Sequence, residues 1–249
     1  MRALLAAIEC QKGEIDRNLD THLTLLRQAA ATGCDLVLFP EMSLTGSADP
    51  WPGRGLLISL DHPAVAAMSE ATDGLGTAAC FGIAERTPAG TPHITQVIAA
   101  DGQLLGIQRK RHLGEGEEEF MAATGATIVA WAGTRFGVAI CAEARHDDPF
   151  DDAAAGGAGL VLFPSAPGLY GRRTSTATWR SGFAWWQGCG LGDAIRHARR
   201  RGLWIALAGQ AGSTVDEDFP GLAALVRPDG TVAARLPDWR PGTLTVQIG

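Results

Sequence analysis

Three residues able to do chemistry stand where an apolar run ends: Glu41 after Asp35-Leu36-Val37-Leu38-Phe39-Pro40, Lys110 just past the run Gln103 to Gln108, and Cys141 after Phe136-Gly137-Val138-Ala139-Ile140. A carboxylate delivered by a buried strand loses water, so its pKa rises and it becomes a better proton acceptor near neutrality. A thiol at a strand end can sit beside the N–H groups of the next turn, which favours thiolate and later an oxyanion. An ammonium near both lowers the thiol pKa and stabilises charge on a reacting carbonyl oxygen. Taken one at a time, these residues also have plain explanations: a loop carboxylate, a solvated basic loop and a small core cysteine. Glu143 and Arg145 could simply pair with each other, and the acidic run Glu115 to Glu119 could simply face water.

The elements that must bring these residues together follow from periodicity. Arg2 to Ile8 reads as a strand, and Ile15, Leu19, Leu23, Leu26 and Ala30 mark one face of a helix. Leu36 to Phe39 is a strand, Pro63 to Ala71 a helix with Asp61 as its cap, and Thr77 to Ala84 a strand. His93 to Ala99 and Gln103 to Gln108 flank Asp101-Gly102, a hairpin signal. This order then recurs. Leu36-Val37-Leu38-Phe39-Pro40 returns letter for letter as Leu160-Val161-Leu162-Phe163-Pro164, and Asp101-Gly102 returns as Asp229-Gly230 after a helix, Asp193 to Arg201, and a strand, Leu203 to Ala208. Such a repeat indicates a duplicated unit of mixed strands and helices. The expected fold is α/β, a four-layer αββα sandwich of two mixed sheets with internal pseudo-twofold duplication, forming one domain over residues 1–249. In the second copy the place of Glu41 is taken by Ser165, which makes Ser165 and Ala166 candidates to line a pocket.

Whole-chain properties narrow the choice. Hydrophobic residues make up 46% of the 249 and charged ones 19%, enough apolar material to bury a substantial core and too few charges for a disordered chain. A net charge of −6 argues against a nucleic-acid partner, whose phosphates demand a basic face. No apolar run approaches the ~20 residues of a membrane span, and Met1 to Ile8 is too short for a secretory leader, so the expected location is cytoplasmic. The five cysteines are odd in number, widely spaced and without a Cys-x-x-Cys pair, which suggests neither a disulfide framework nor a zinc knuckle.

The order Glu, Lys, Cys, in the settings Leu38-Phe39-Pro40-Glu41, Arg109-Lys110-Arg111-His112-Leu113 and Gly137-Val138-Ala139-Ile140-Cys141-Ala142-Glu143-Ala144-Arg145, resembles the nitrilase superfamily of carbon-nitrogen hydrolases over nearly the whole chain. The resemblance implies a small-molecule amide substrate and assembly as homodimers or larger homo-oligomers. It makes Cys141 the nucleophile, Glu41 its base, and Lys110 with the Ala142 N–H the holders of the oxyanion. Glu118, counted back from Gly125, matches the family's second glutamate and would orient Lys110 or the substrate amine. No metal or organic cofactor is required by such chemistry. Two departures stand out: Glu143 where the family commonly has Asp, and His146-Asp147-Asp148 where it has an aromatic-Pro-Glu stretch. The second alters the loop beside the pocket, so the substrate of no single branch carries over.

Three rival readings accompany this one. A nitrilase proper would attack a nitrile with the same residues; a catalytically silent sandwich could persist as a binding or scaffold protein; and a metal hydrolase could gather His146, Asp147, Asp148 and Asp152. The segment holding Trp179, Trp185 and Trp186 has no match in the first half, and its expected roles are a pocket wall, a subunit contact or core packing.

Overall fold

The structure, a computed structural model, describes residues 1–47 and 56–249. In chain order these form β1 (Arg2–Ala7), α1 (Ile15–Ala31), β2 (Leu36–Leu38), α2 (Pro63–Glu70), β3 (Ala78–Arg86), β4 (Pro92–Ala100), β5 (Gln103–Arg109), β6 (Val129–Trp131), β7 (Thr134–Val138), α3 (Asp148–Ala155), β8 (Leu160–Ser165), α4 (Thr176–Trp186), α5 (Gly192–Arg201), β9 (Trp204–Ser213), β10 (Asp218–Val226), β11 (Val232–Arg235) and β12 (Gly242–Gln247). A turn of 3-10 helix spans Cys141–Arg145, and a π-helical turn, Gln187–Leu191, joins α4 to α5.

Two six-stranded sheets result, ordered β12-β1-β2-β3-β4-β5 and β6-β7-β8-β9-β10-β11. In each, the second, third and fourth strands run parallel and the flanking pairs antiparallel. The duplication read from the repeated pentapeptide is therefore a duplication of topology. The strands β1-β2-β3-β4-β5 correspond one by one to β7-β8-β9-β10-β11. The parallel strands need crossovers, which α1, α2, α3 and α5 supply.

Alternation along the strands sorts the core into layers. Leu5, Leu38, Cys80 and Ile98 of one sheet pack with Phe136, Leu160, Ala206 and Leu225 of the other. The opposite face of the first sheet (Leu4, Val37, Phe81) packs on Leu26, Val65 and Met68 of α1 and α2. The opposite face of the second (Val161, Phe163, Ile205) packs on Phe150, Phe183 and Ala198 of the other helices. This is the expected helix-sheet-sheet-helix order.

Local expectations hold closely, with one correction. At the hairpin between β4 and β5, Asp101 and Gly102 both take positive φ, 49° and 75°, the geometry a two-residue turn requires. Helix α2 is capped by His62, whose Nδ1 accepts from Ala64 N at 3.2 Å, and not by Asp61, which accepts instead from the Ser59 hydroxyl. Pro63 begins the helix, so Asp61 stands one residue too early to reach its free N–H groups. No described helix is long and apolar enough to cross a membrane.

Candidate active site

The parallel strands of both sheets end toward one cleft. Glu41 lies three residues past β2, Lys110 follows β5, Cys141 follows β7, and Ala166 follows β8. Lys110 is wholly buried, and its Nζ donates to Glu41 Oε1 at 2.7 Å and to Glu117 Oε1 at 2.6 Å. Glu41 is equally buried; its second oxygen accepts from Ala166 N at 3.0 Å. The Cys141 thiol lies beside the Glu41 carboxylate and the Ala166 amide. Residues 41, 110 and 141, dispersed along the chain, thus meet as the strand ends predict.

Packing around the Glu41 turn explains its placement. Gln96 of β4 donates to Phe39 O at 3.2 Å and to Pro40 O at 3.4 Å. Gly82 of β3 runs so close beneath the turn that a Cβ there would sit 2.2 Å from Met42 N and 2.9 Å from Glu41 C. Ser43 Oγ accepts from Gly82 N at 3.1 Å and contacts His22 Nε2 at 2.9 Å, which ties the turn to α1. At Cys141 the backbone adopts φ of 46°, a region L-residues rarely occupy and one found repeatedly at functional turns. Glu143 holds this turn: its carboxylate accepts from Ile140 N at 2.7 Å and Arg111 N at 2.5 Å, clasping the loops that carry Cys141 and Lys110. It does not pair with Arg145.

The charges of this cluster are interdependent. Burial raises the Glu41 pKa; Lys110 opposes that rise and Glu117 adds to it. The Cys141 thiol is pushed well above its ordinary value, first by burial and then by the charge of Glu41, with Lys110 acting in the opposite sense. Burial alone would discharge Lys110, yet Glu41, Cys141 and Glu117 hold its pKa above the usual lysine range. A third negative charge in a buried site already holding two carboxylates and one ammonium is costly. Burial and the Glu41 charge thus favour the thiol form of Cys141, where strand-end position alone suggested a thiolate.

Two expected residues lie elsewhere. Glu118 is exposed and accepts from Gly116 N at 3.1 Å, while its neighbour Glu117 turns inward to Lys110 and to Gly114 N, the latter at 2.5 Å. In a run of glutamates only the turn geometry selects which one points in, so composition carried no signal for the register. Ser165 is fully buried at the end of β8 and is absent from the cleft wall; its Oγ has no hydrogen-bond partner among the described residues. Strand alternation sends residue 165 inward and leaves Ala166, with Pro167 and Gly168, to face the cleft.

The cleft has a volume of about 520 Å³ and is walled by Cys141, Ala142, Ala166, Tyr170, Trp185 and Trp186, with Glu115, Glu117, Arg145, Cys189 and Asp193 among the remainder. Of the tryptophan-rich segment, Trp185 and Trp186 thus wall the cleft, whereas Trp179 stacks on Trp239. Of the acidic loop offered for a metal, Asp147 pairs with Arg200 and Arg201, and Asp152 with Arg111. His146 and Asp148 instead join His112, their ligand atoms within 4.8 Å of one another. Asp148 already accepts from His112 at 2.8 Å, and the two imidazoles stack at 3.8 Å. Stacked parallel rings cannot aim their lone pairs at one ion without tilting apart, and none of the three lines the cleft.

The carbon-nitrogen hydrolase family matches residues 4–249 of this chain. Among curated proteins, the glutamine-dependent NAD(+) synthetase of Xylella fastidiosa is 28% identical over 67% of this chain and 32% of its own length, and the aliphatic nitrilase of Rhodococcus rhodochrous is 31% identical over 43% of this chain and 33% of its own. The chain thus matches about a third of the length of those two relatives. Among solved structures, an amidase of the nitrilase superfamily from Nesterenkonia AN1, determined as a single-residue mutant, superposes with a TM-score of 0.81 at 23% identity, covering 100% of this chain and 90% of that one. That likeness is one of fold.

Proposed function

Because the chain belongs to the carbon-nitrogen hydrolase family, we propose that it hydrolyses the amide or carbamoyl C–N bond of a small molecule through a thioester on Cys141. The observation that carries this reading is the buried ammonium of Lys110, held at 2.7 Å from Glu41 and 2.6 Å from Glu117, beside a thiol that opens into the cleft.

Cys141 attacks the carbonyl carbon as its proton passes to Glu41, so no free thiolate has to exist in the dry site. The C–S bond forms, the carbonyl π pair moves onto oxygen, and Lys110 with the Ala142 N–H holds that charge. Collapse breaks the C–N bond, and the departing ammonia or amine takes the proton from Glu41. Water then attacks the thioester, again losing its proton to Glu41, and the acid leaves as the sulfur recovers a proton. Glu117 holds the Lys110 ammonium in place throughout, the role expected of Glu118. Similarity to an aliphatic nitrilase supports a nitrile as the competing substrate. Cytoplasmic residence suits five free cysteines, and homodimer assembly belongs to the same proposal.

Ammonia release from a panel of amides, ureido acids and matched nitriles tests the reading. Wild-type protein should release ammonia from an amide, and Cys141→Ala should lose that turnover by on the order of 10³-fold or more with an unchanged circular dichroism spectrum. Turnover that survives in Cys141→Ala would end the proposal; faster consumption of the nitrile than of its amide would favour the nitrilase reading.

A further inference from the structure

Beside the cleft that holds Cys141 lies a second chamber of about 370 Å³, and the two share Gly168, Tyr170 and Trp185 as a common border. Buried Leu169 and the bare backbone of Gly182 help to wall it: a Cβ on Gly182 would sit 2.7 Å from Leu169 Cδ1. Tyr170 is 74% exposed and Trp185 44%, although large rings gain most from burial. Tyr170 is nonetheless fixed. Its φ of 53° is an outlier for a bulky residue, its N–H donates to Glu217 Oε1 at 3.0 Å, and its hydroxyl donates to Glu115 Oε2 at 3.2 Å on the loop that follows β5. Among the described residues no ring stacks on Tyr170, and Trp185 has only Trp186 as a ring neighbour, tilted by 41°.

Two exposed rings held at the border of a chamber call for a flat apolar ligand, which would bury them and offer its own face for stacking. A cavity of roughly 150 Å³ already accepts benzene, and this chamber is larger. No carboxylate lines it, which leaves a cationic tail without a partner, and its one charged side chain, Arg173, donates to Leu169 O; a guanidinium also accepts the face of an aromatic ring. Resting on the amide-hydrolase reading above, we propose that the substrates are amides bearing an aryl group, which lies in this side chamber against Trp185 and Tyr170 while the amide reaches Cys141.

Two pairs of amides test this, each scored by the carboxylic acid released from the purified chain: 4-phenylbutyramide against butyramide, with the ring on the acyl side, and N-(2-phenylethyl)acetamide against N-ethylacetamide, with the ring on the departing amine. In at least one pair the aryl compound should have the higher kcat/KM by about tenfold or more, expressed mainly in KM, and the pair that shows it tells which half of the substrate occupies the chamber. Ser181→Trp, at an exposed position on the chamber wall, should collapse that ratio toward one by filling the space, and Trp185→Ala should reduce it severalfold. Ratios below tenfold in both pairs, or an unchanged preference in either variant, overturn the inference while leaving the hydrolase reading standing. Silence toward all four amides and the wider panel removes both.

Discussion

The Ala166 amide donates to Glu41 Oε2 at 3.0 Å across 125 residues of chain. The two residues follow corresponding strands, β2 and β8, of the two copies, so the contact joins one copy of the duplicated unit to the other. One copy places a carboxylate at this turn; the other places Ser165 and the Ala166 N–H. The same fold element thus supplies a proton acceptor on one side of the cleft and, on the other, the donor that orients it.

Substitutions at the adjacent glutamates separate the two candidates for the supporting acid. Glu117→Gln should lower kcat by roughly 10²-fold, the scale of one lost electrostatic support, whereas Glu118→Gln, at an exposed position, should change it less than about twofold. Glu117 also raises the Glu41 pKa. Removing its charge should therefore move the acid limb of the kcat/KM profile to lower pH, a shift that a change in packing alone would not produce.

Alkylation of Cys141 reports the charge balance directly. Because burial and Glu41 raise the thiol pKa above its ordinary 9.0, iodoacetamide labelling measured against pH should rise only on the alkaline side of that value. Glu41→Gln removes the second of those causes, so the labelling curve should move to lower pH even as amide turnover is lost. A curve that stays in place would show that Glu41 does not act on the sulfur.

Close approach at Gly82 gives a test of positioning. Gly82→Ala forces backbone atoms of the Glu41 turn to move, since its Cβ would lie 2.2 Å from Met42 N. Loss of stability by about 1–3 kcal/mol is expected, together with a fall in kcat of about tenfold or more from displacing the base. Gly159→Ala, where a Cβ meets nothing within 4 Å, is the control and should leave kcat within about twofold.

Acid stability should carry the signature of His22. Fully buried, with Nδ1 donating to Asn18 O at 2.7 Å and Nε2 accepting from Ser43, it has its pKa lowered by burial from 6.5 to about 4. The folded state binds this proton less readily than the unfolded chain does. Its contribution is therefore present above about pH 6.5 and is lost as pH falls toward 4. Roughly 3 kcal/mol is at stake. Denaturant titrations at several pH values should show His22→Gln lacking that part of the wild-type slope.

Much of this molecule was legible in the order of its residues. Hydrophobic periodicity marked the strands and helices, a repeated pentapeptide with two Asp-Gly turns disclosed the duplication, and residues at strand ends pointed to Glu41, Lys110 and Cys141. Those signals are local or repetitive, and backbone sterics with side-chain burial turn them into strands, helices and turns without reference to distant partners.

Tertiary structure decided what depends on long-range burial and charge. It chose Glu117 over Glu118, because a turn sets which member of an acidic run points inward. It withdrew Ser165 behind the cleft wall, since alternation at the end of β8 hides that side chain. It gave Glu143 its hold on Arg111 N and Ile140 N, a role that spacing from Cys141 left open. The protonation of the thiol was also set there, because the energy of a charge depends on every neighbour the fold gathers around it, and a linear sequence does not specify those distances.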